Sequence, residues 1–474
     1  MVRGTLERLF RLQDNGTTVR TELVAGATTF LTMAYIIFVQ PAVLSGVMFG
    51  QPTGMDFGAI TTATCLAAAL ASAIMGLYAR YPIAQAPGMG ENFFFVFTAV
   101  PMAAAAGAAV PWAAALGAVF VSGVLFLVLS LVGAREAVMN AISPSMRHAI
   151  AAGIGLFIAF IGLQNAGLIV KDPATAVRLN PQFASPDLLV FFAGLLVAGG
   201  LHARRVRGSI LWGILAAGAL AVAMKLALPH LDPALAASPL VAESGLVNRF
   251  AIADQLVAPP PSLAPTFLQM DVRGALTLAM APVIAIFLFM VFFDTVGTLV
   301  GVAQQAGLMR DGRLPRARQA FVADAAGTVA GAALGTSTVT SFIESATGVE
   351  QGGRTGLTAV TVAVLFLVAL FFSPVVAMLG GYAPVTAPAL VLVGGMMLRN
   401  VQYLAWDDYT ELLPAFLVLI GIPLSYSIAD GLALGFVAWP LLKVLGGRAG
   451  DVRWVSWLVA ALLLGYFVLL RSQV

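Results

Sequence analysis

The chain contains few of the side chains that support covalent or metal chemistry. Its 474 residues include one cysteine and three histidines. A single cysteine, Cys65, excludes a disulfide within the chain and a cysteine-based metal site. The histidines, His148, His202 and His230, are scattered without the spacing of metal ligands. We therefore expect no metal site, no cofactor and no catalytic residue, and an enzyme is the weaker interpretation.

Charged residues are also scarce. They make up 10% of the chain, whereas 60% of the residues are hydrophobic and the mean hydropathy is +0.95. A soluble chain of this length would need charged faces on most of its helices. Runs such as 275–302 and 355–376 instead exceed the roughly 20 mainly apolar residues that span a bilayer. The sequence therefore predicts a polytopic membrane protein without a soluble catalytic domain.

The N-terminal residues 1–21 are basic and amphipathic. They contain no short apolar run with a small-residue cleavage site, so we predict no cleaved signal peptide. The formal charge of +3 and the pI of about 9.2 could indicate nucleic-acid binding in a soluble protein. Here the arginines fall in short loops between apolar runs, so membrane topology explains them better and no nucleic-acid partner is expected.

The apolar runs predict an all-α protein with about fourteen transmembrane helices. A proline-containing segment, 228–271, separates seven predicted spans from seven more and is expected to be an external connector. Two successive halves with an odd number of spans each have opposite orientations in the membrane, which predicts a 7+7 inverted repeat. The irregular spans, PIAQAPGMGEN and GTSTVTSFIES, are the third of each half, that is, helices 3 and 10. The predicted spans are 22–45, 58–79, 83–103, 111–132, 147–166, 187–201, 209–227, 272–300, 320–334, 337–352, 356–378, 384–398, 410–426 and 428–445.

Positive charge is distributed unevenly between the predicted loops. Cytoplasmic loops are enriched in Lys and Arg, so we place the N-terminus in the cytoplasm of a multi-pass cell-membrane protein. The outer loops 104–110 and 379–383 carry no arginine. Residues 453–471 are a further apolar stretch that could span the membrane or lie along its surface. The arginines assigned to the inner side are Arg3, Arg8, Arg11, Arg20, Arg80, Arg135, Arg147, Arg354, Arg399 and those within 202–207 and 310–318; the exceptions, Lys171, Arg178 and Arg249, lie in longer outer loops.

Three polar side chains, Asn92, Asp294 and Glu344, lie inside stretches that otherwise indicate lipid-buried helix. An ionisable group at membrane depth costs roughly 2.5 kcal/mol or more, so it tends to face a partner, a water-filled cavity or a ligand. Asn92 and Glu344 lie in the two irregular spans. There we expect a short extended stretch followed by a half-helix whose free N–H groups face the bilayer centre. The alternative is that the small residues only allow close helix packing.

Asp294 stands four residues before Thr298, so both side chains should project from one helical face into a cavity. A carboxyl group at Asp294 or Glu344 could gain and lose a proton as a ligand binds. The alternative for each is a hydrogen bond that only packs helices together. Gly90 permits a close approach of the backbone, and Ser345 adds a hydroxyl beside Glu344.

Four blocks occur in order along the chain: TELVAGATTFLTMAYIIFVQPAVLS, PIAQAPGMGENFFF, FFDTVGTLVG and GTSTVTSFIESATGVEQGGRTGLTA. Together they resemble the AzgA-like purine permeases of the nucleobase–ascorbate (nucleobase–cation symporter) superfamily, over nearly the whole chain. The resemblance implies cation-coupled uptake of adenine, guanine or hypoxanthine. It also implies a substrate site with Asn92, Asp294 and Glu344, next to Phe93 and Thr298. Phe93 would stack on the substrate, with an ordinary core aromatic as the equal alternative.

The resemblance further implies the fold of the uracil permease, with a core domain and a gate domain. The core would comprise helices 1–4 and 8–11, at 22–132 and 272–378. The gate would comprise helices 5–7 and 12–14, at 147–227 and 384–445.

Two positions depart from the family pattern. Glu91 adds a carboxylate beside the expected site, where it could tune coupling or face water. Thr298 occupies a position where the uracil permease has a histidine, so coupling should rest on Asp294 and Glu344. We expect proton symport. Sodium coupling is the weaker alternative, because no cage of further oxygen ligands is evident in the sequence.

The same fold could also carry another nucleobase or a small organic anion. An anion exchanger should avoid fixed carboxylates at its site, so Asp294 and Glu344 argue against that alternative. The expected partners are thus a purine base, a proton and the lipid bilayer. A homodimer with a second copy of the chain remains open.

Overall fold

The structure of the chain is a computed structural model. It describes residues 2–132, 143–230, 232–233, 237–305, 307–309 and 314–465. Arg135, Arg310, Arg313 and residues 466–471 of the C-terminal apolar stretch therefore lie outside the described residues. The helices are α1 Val2–Phe10, α2 Val19–Met33, α3 Ile36–Leu44, α4 Phe57–Ile74, α5 Met89–Phe94, α6 Val100–Ala105, α7 Pro111–Val132, α8 Pro144–Asn165, α9 Pro186–Ala203, α10 Ser209–Ala227, α11 Pro239–Ala242, α12 Gly245–Asn248, α13 Val272–Ala275, α14 Ala281–Gln305, α15 Ala317–Leu334, α16 Ser345–Glu350, α17 Gly356–Ala369, α18 Ser373–Gly380, α19 Ala383–Met397, α20 Tyr409–Ser425, α21 Ile428–Leu445 and α22 Trp454–Gly465. The strands are β1 Gln85–Pro87, β2 Ile169–Asp172, β3 Ala176–Leu179 and β4 Val339–Ser341.

Capping residues set where many of these helices begin. The Asp56 side chain accepts a hydrogen bond from the backbone N–H of Ala59 (2.7 Å) at the start of α4. Ser143 and Ser185 cap α8 and α9 in the same way. A proline follows each serine, and proline suits the first helical position because the N–H it lacks would have no partner there. The polar loop residues therefore fix the helix starts, and the apolar interiors carry the chain across the membrane.

Within the described residues, nine helical segments are long and apolar enough to cross a bilayer. Two shorter apolar helices cover 89–105 and 409–425. A chain with this many apolar helices is a multi-pass membrane protein, as expected. The count of fourteen spans stays a prediction.

The two irregular spans each contain a short strand, as expected. β1 pairs with β4 in antiparallel register, with Gln85 opposite Ser341. The N–H of Gly88 donates to the carbonyl of Thr338 (3.0 Å), which extends the pairing towards α5. This pairing satisfies backbone groups that would otherwise be left unpaired inside the membrane. The half-helices α5 and α16 follow the strands directly.

One predicted span begins later than expected. The sequence predicts a helix over 272–300, whereas α13 ends at Ala275 and α14 runs from Ala281 to Gln305. Pro282 explains the later start, because proline fits the first turn of a helix and disfavours helical geometry in the residue before it. The Asp271 side chain instead caps the short helix α13 through the N–H of Gly274 (2.9 Å).

Glycine allows the helices around the cavity to pack closely. A Cβ atom on Gly155 of α8 would lie 2.8 Å from the carbonyl oxygen of Gly394 on α19. Small residues at such crossings are typical of membrane helix pairs. The pair α8 and α19 therefore forms a rigid wall, and α14 with the paired strands lies opposite.

Candidate substrate-binding site

A cavity of about 640 Å³ lies between this α8–α19 wall and the elements opposite. Its lining includes Gly88 to Glu91 at the start of α5, Asp294 and Thr298 on α14, and the segment from Thr340 to Glu344. The two broken spans and α14 thus converge on one space. The volume lies in the range of ligand-binding cavities in proteins.

Asp294 faces this cavity and is exposed to it. Its Oδ2 atom accepts a hydrogen bond from the hydroxyl of Thr340 (3.1 Å), which ties the carboxylate to the residues around β4. Thr298 follows one helical turn later and lines the same cavity. The expected common face of Asp294 and Thr298 is therefore present, and one carboxylate oxygen remains available to a ligand.

Glu344 is half-buried at the start of α16 and also lines the cavity. The hydroxyl of Tyr35 donates to Glu344 Oε1 (2.8 Å) and orients the carboxylate. Glu91 is the third acid in the lining and is nearly fully buried, 3% exposed. Its carboxylate folds back over Gly88, where a Cβ atom would lie 2.9 Å from Glu91 Cδ. Glycine at position 88 therefore leaves room for the Glu91 carboxylate at the start of α5.

Gly90 lies where the core elements meet the opposite wall. A Cβ atom there would lie 3.1 Å from Ile154 Cγ2 on α8 and 3.8 Å from Met290 Cε on α14. Glycine at position 90 therefore allows a close approach, as expected, but the group that approaches is the Ile154 side chain of α8.

Asn92 does not line the cavity in this structure. It is fully buried, and its side-chain oxygen accepts a hydrogen bond from the Ser337 hydroxyl. Within the described part of the chain, its Nδ2 atom has no hydrogen-bond partner. Successive helical residues point about 100° apart, so a helix that turns Glu91 towards the cavity turns Asn92 towards β4.

Phe93 and Ser345 also point away from the cavity. Phe93 is fully buried and packs against the rings of Phe49 and Phe157. The hydroxyl of Ser345 accepts a hydrogen bond from the N–H of Ala84 (3.0 Å), which joins α16 to the residue before β1. Both side chains thus support the elements that carry the cavity residues.

The sequence of the chain matches a known family of membrane proteins. A profile described as a permease family matches residues 20–468. The chain belongs to this permease family. It is 42% identical to the guanine/hypoxanthine permease PbuG of Bacillus subtilis, across 98% of this chain and 100% of that protein. It is 39% identical to the adenine permease AdeP of Escherichia coli, across 95% of this chain and 93% of that protein. The resemblance to purine permeases inferred from the four blocks is confirmed.

Membership of the permease family makes the chain a transporter and not an enzyme. Among solved structures, it is similar to the transmembrane domain of the cyanobacterial bicarbonate transporter BicA, with a TM-score of 0.59. The two share 14% identity, over 89% of this chain and 97% of that domain. Likeness at this level of identity concerns the fold alone.

One further buried acid of this permease was not among the residues singled out in the sequence. Asp324 on α15 is fully buried and receives four hydrogen bonds. Its Oδ2 accepts from Gln85 Nε2 (2.9 Å) and from both the N–H (2.9 Å) and the hydroxyl (2.6 Å) of Ser341. Its Oδ1 accepts from the Thr295 hydroxyl (2.8 Å). Asp324 thus joins β1, β4 and α14 behind the cavity.

The signal for Asp324 was present in the sequence, since it is a carboxylate inside the predicted span 320–334. Two other residues were also missed as part of the site. Tyr35 gave no signal, because a tyrosine in an apolar run is ordinary. Arg147 was assigned to an inner loop, but it lies in the first turn of α8 and lines the cavity.

Proposed function

We propose that this permease imports purine nucleobases (adenine, guanine and hypoxanthine) by symport with a cation. The observation that carries the proposal is the convergence of Asp294, Glu344 and the start of α5 on one cavity. The names of PbuG and AdeP supply the substrate class. The fixed acids disfavour a small inorganic anion as the substrate.

The chemistry of the cavity suits a purine. A purine edge presents ring and exocyclic donors and acceptors, and the carboxyl groups of Asp294 and Glu344 can accept from its N–H groups. A site that pairs with these groups rejects analogues lacking one of them, because a buried polar atom would be left unpaired. Phe293 and Phe342 in the lining, rather than Phe93, lie where an aromatic face could pack on the base.

We include Asn92 in the proposed substrate site. Its buried Nδ2 atom lacks an acceptor within the described residues, and an unmet donor costs about 1–3 kcal/mol. A purine acceptor would meet this donor in a state where α5 shifts relative to the cavity. The proposed site also includes three supporting residues. Gly90 allows the backbone to approach closely, Thr298 places a hydroxyl near Asp294, and Ser345 supports α16.

The coupling ion we propose is the proton, carried by Asp294 or Glu344. Both carboxyl groups lie on the cavity, where solvent and substrate can reach them. Binding linkage is reciprocal, so a substrate that prefers the protonated carboxyl binds better at acid pH. Sodium coupling is the weaker alternative.

We further propose the architecture that the repeat implies. It comprises fourteen spans in two inverted halves, with the core at 22–132 and 272–378 and the gate at 147–227 and 384–445. The connector 228–271 is external. The N-terminus lies in the cytoplasm of a cell-membrane protein. The pairing of β1 with β4, one from each half, supports this reading.

Radiolabelled uptake in a host without purine permeases tests the proposal. We expect accumulation of adenine, guanine or hypoxanthine, but not of uracil. Glu344→Gln should abolish accumulation and weaken substrate binding about tenfold or more, because a charge-assisted hydrogen bond and a titratable proton are both lost. Glu243→Gln, a matched change at an exposed connector carboxylate, should transport like the wild type. Normal accumulation by Glu344→Gln would contradict the site.

Coupling is tested in the same cells by changing the ion gradients. Uptake should rise as the external pH falls from about 8 to 6 and collapse with a protonophore, because acid pH favours the protonated carboxyl to which substrate binding is linked. Replacing sodium by choline should have little effect. Uptake that follows sodium and ignores the protonophore at fixed membrane potential would exclude proton coupling while leaving the purine site intact.

A further inference from the structure

The cavity has a cationic end as well as an acidic one. Arg147 and His148 at the start of α8, together with Arg399 after α19, line the same space as the acids. Arg399 is exposed, so the cavity reaches the protein surface at this end. Both arginines lie on the side that the arginine distribution assigns to the cytoplasm.

Arg147 is not neutralised by a neighbouring acid. Its guanidinium lies over the ring of Phe293, 5.5 Å from the ring centroid, and its Nε atom is buried. Among the residues that the structure describes, Nε has no hydrogen-bond partner and no carboxylate lies within ion-pair distance of Arg147. A half-buried guanidinium that stacks on an aromatic ring and keeps an unpaired Nε donor is well suited to bind an oxyanion.

Two acids at the start of α20, which Ser143 joins to the start of α8 through a hydrogen bond to Glu411, are engaged elsewhere. Asp408 is paired with Arg448 (2.5 Å), and Glu411 is paired with Lys443 (2.8 Å). His148 is held by Asn400, at 3.0 Å from Nδ1 to Oδ1. Neither of these acids is therefore an ion-pair partner of Arg147 or Arg399, which line the cavity.

Phe293, on which Arg147 stacks, immediately precedes Asp294 on α14. Arg147 on α8 thus contacts α14 at the residue next to Asp294. A bare purine would occupy only part of about 640 Å³, since cavities of this size hold drug-sized ligands. A ligand that combines a base with an anionic group would use both ends.

We propose that this cavity binds purine nucleoside 5′-monophosphates from the cytoplasmic side, as inhibitors of transport. The base lies towards Asp294 and Glu344, and the phosphate binds Arg147 and Arg399. Such a ligand joins α14 to α8 and α19, and binding to only one conformation of the carrier shifts its population to that state. The product of a reaction that attaches ribose 5-phosphate to the imported base would thus restrain further uptake.

The base end of this inference rests on the proposed purine site, whereas the phosphate end rests on the arginines alone. The test uses purified full-length protein, with binding measured by calorimetry. Adenine and hypoxanthine are compared with AMP and IMP, with ribose 5-phosphate and inorganic phosphate as probes of the phosphate end. Binding of a base without any competition by its monophosphate would overturn this inference and leave the proposed function standing. A failure of every base to bind would instead count against the proposed function.

Substitutions assign the phosphate contact. Arg147→Gln should weaken binding of the monophosphate about tenfold or more, because charge-assisted hydrogen bonds to phosphate are lost. It should weaken binding of the free base by a clearly smaller factor, so that the ratio of the two affinities changes. Arg399→Gln, at an exposed position that tolerates substitution, should have the same selective effect if Arg147→Gln fails to fold. The matched control is Arg207→Gln, an exposed arginine on the same side and outside the cavity.

Sidedness is measured in proteoliposomes with AMP or IMP placed on one face only. Inhibition of base uptake should require the nucleotide on the face that carries Arg399. Equal loss of base and nucleotide affinity in Arg147→Gln, inhibition from the opposite face only, or equal competition by inorganic phosphate would each overturn the nucleotide assignment.

Discussion

Two acids of this permease, one on the cavity and one behind it, differ in the hydrogen bonds that they receive. Asp294 receives one hydrogen bond from Thr340 and otherwise faces the cavity. Asp324 is fully enclosed, and Gln85, Ser341 and Thr295 donate to it. A group with all of its acceptor positions used is a structural link, whereas a group with an open position can bind a ligand.

The two acids should therefore respond differently to neutralisation. Asp324→Asn places an amide N–H₂ against existing donors and leaves buried groups unpaired, which costs about 1–3 kcal/mol. We expect a lower melting temperature of the purified protein for Asp324→Asn. Asp294→Asn should leave the melting temperature near the wild-type value but impair transport, because its side chain faces the cavity. Asp254→Asn, at an exposed connector site, is the control for both.

An unchanged melting temperature in Asp324→Asn would show that the four hydrogen bonds contribute little to stability. Equal destabilisation by Asp294→Asn would show that Asp294 is a packing residue, which was the alternative considered from the sequence.

The sequence predicted which residues are polar at membrane depth but not where each points. Asp294, Glu344 and Thr298 reach the cavity as expected, since the spacing of four residues fixes a common face on one helix. Asn92 differs because its direction depends on Ser337, a residue 245 positions away that β4 brings next to it. Contacts of that range cannot be derived from local spacing, and the same is true of the donors around Asp324.

At the scale of elements, proline and glycine residues determine where the irregular spans depart from helical structure. Pro82, Pro87 and Gly88 interrupt the third span where β1 forms, because proline lacks a backbone donor and glycine lacks a Cβ. The pairing partner of β1 was suggested only by the matching position of the second irregular span. The late start of α14 was not predicted. Apolar composition alone extended the predicted helix back to residue 272.

A cluster of ion pairs joins α20 and α21 near the start of α8. Lys443 on α21 is almost fully buried and contacts Glu411 (2.8 Å) and Asp408 (3.5 Å). Asp408 also caps α20, where its Oδ1 accepts from the backbone N–H (3.0 Å) and the hydroxyl (2.6 Å) of Thr410. Hydrogen bonds from Thr410 and then from Arg448 hold the pKa of Asp408 below its usual range. The ionised form of Asp408 is therefore the one that stabilises the fold.

This depressed pKa sets the direction of a pH effect. A carboxyl group with a lowered pKa in the folded state adds stability above its unfolded pKa of about 3.9, and this stability is lost as the pH falls towards the folded value. Asparagine can still cap α20, so Asp408→Asn should lower the melting temperature at pH 7 only through the lost ion pairs with Arg448 and Lys443, which contribute about 1 kcal/mol or less. The difference from the wild type should shrink below about pH 4. The exposed neighbour Asp407→Asn is the matched control, and a difference that persists unchanged to pH 3 would contradict the charge-based explanation.

At the scale of the whole molecule, the connector 228–271 holds two groups of helices together. Asp187 on α9 accepts from the N–H of Leu246 (2.9 Å), and Lys225 on α10 donates to the Leu246 carbonyl (2.9 Å). The charged groups thus clamp both ends of the short helix α12. Further along, the N–H of Ala258 donates to the carbonyl of Phe371 (2.9 Å), on the side of α17. The connector therefore bridges elements of the proposed gate and the proposed core.

An external connector between two inverted halves has a direct topological consequence. Gln13 precedes the first predicted span and Gln269 precedes the eighth, so inversion places the two glutamines on opposite sides of the membrane. Both are exposed, and replacing each by cysteine changes no charge that could itself alter the topology. In a Cys65→Ala background, an impermeant maleimide added to intact cells should label Gln269→Cys but should label Gln13→Cys only after permeabilisation. Ala106→Cys in an arginine-free loop is the external control, and denatured protein gives the total reactive thiol. Labelling of both glutamine positions from the same side would rule out the inverted repeat, whereas external labelling of Gln13→Cys alone would retain the inversion and reverse the assigned orientation.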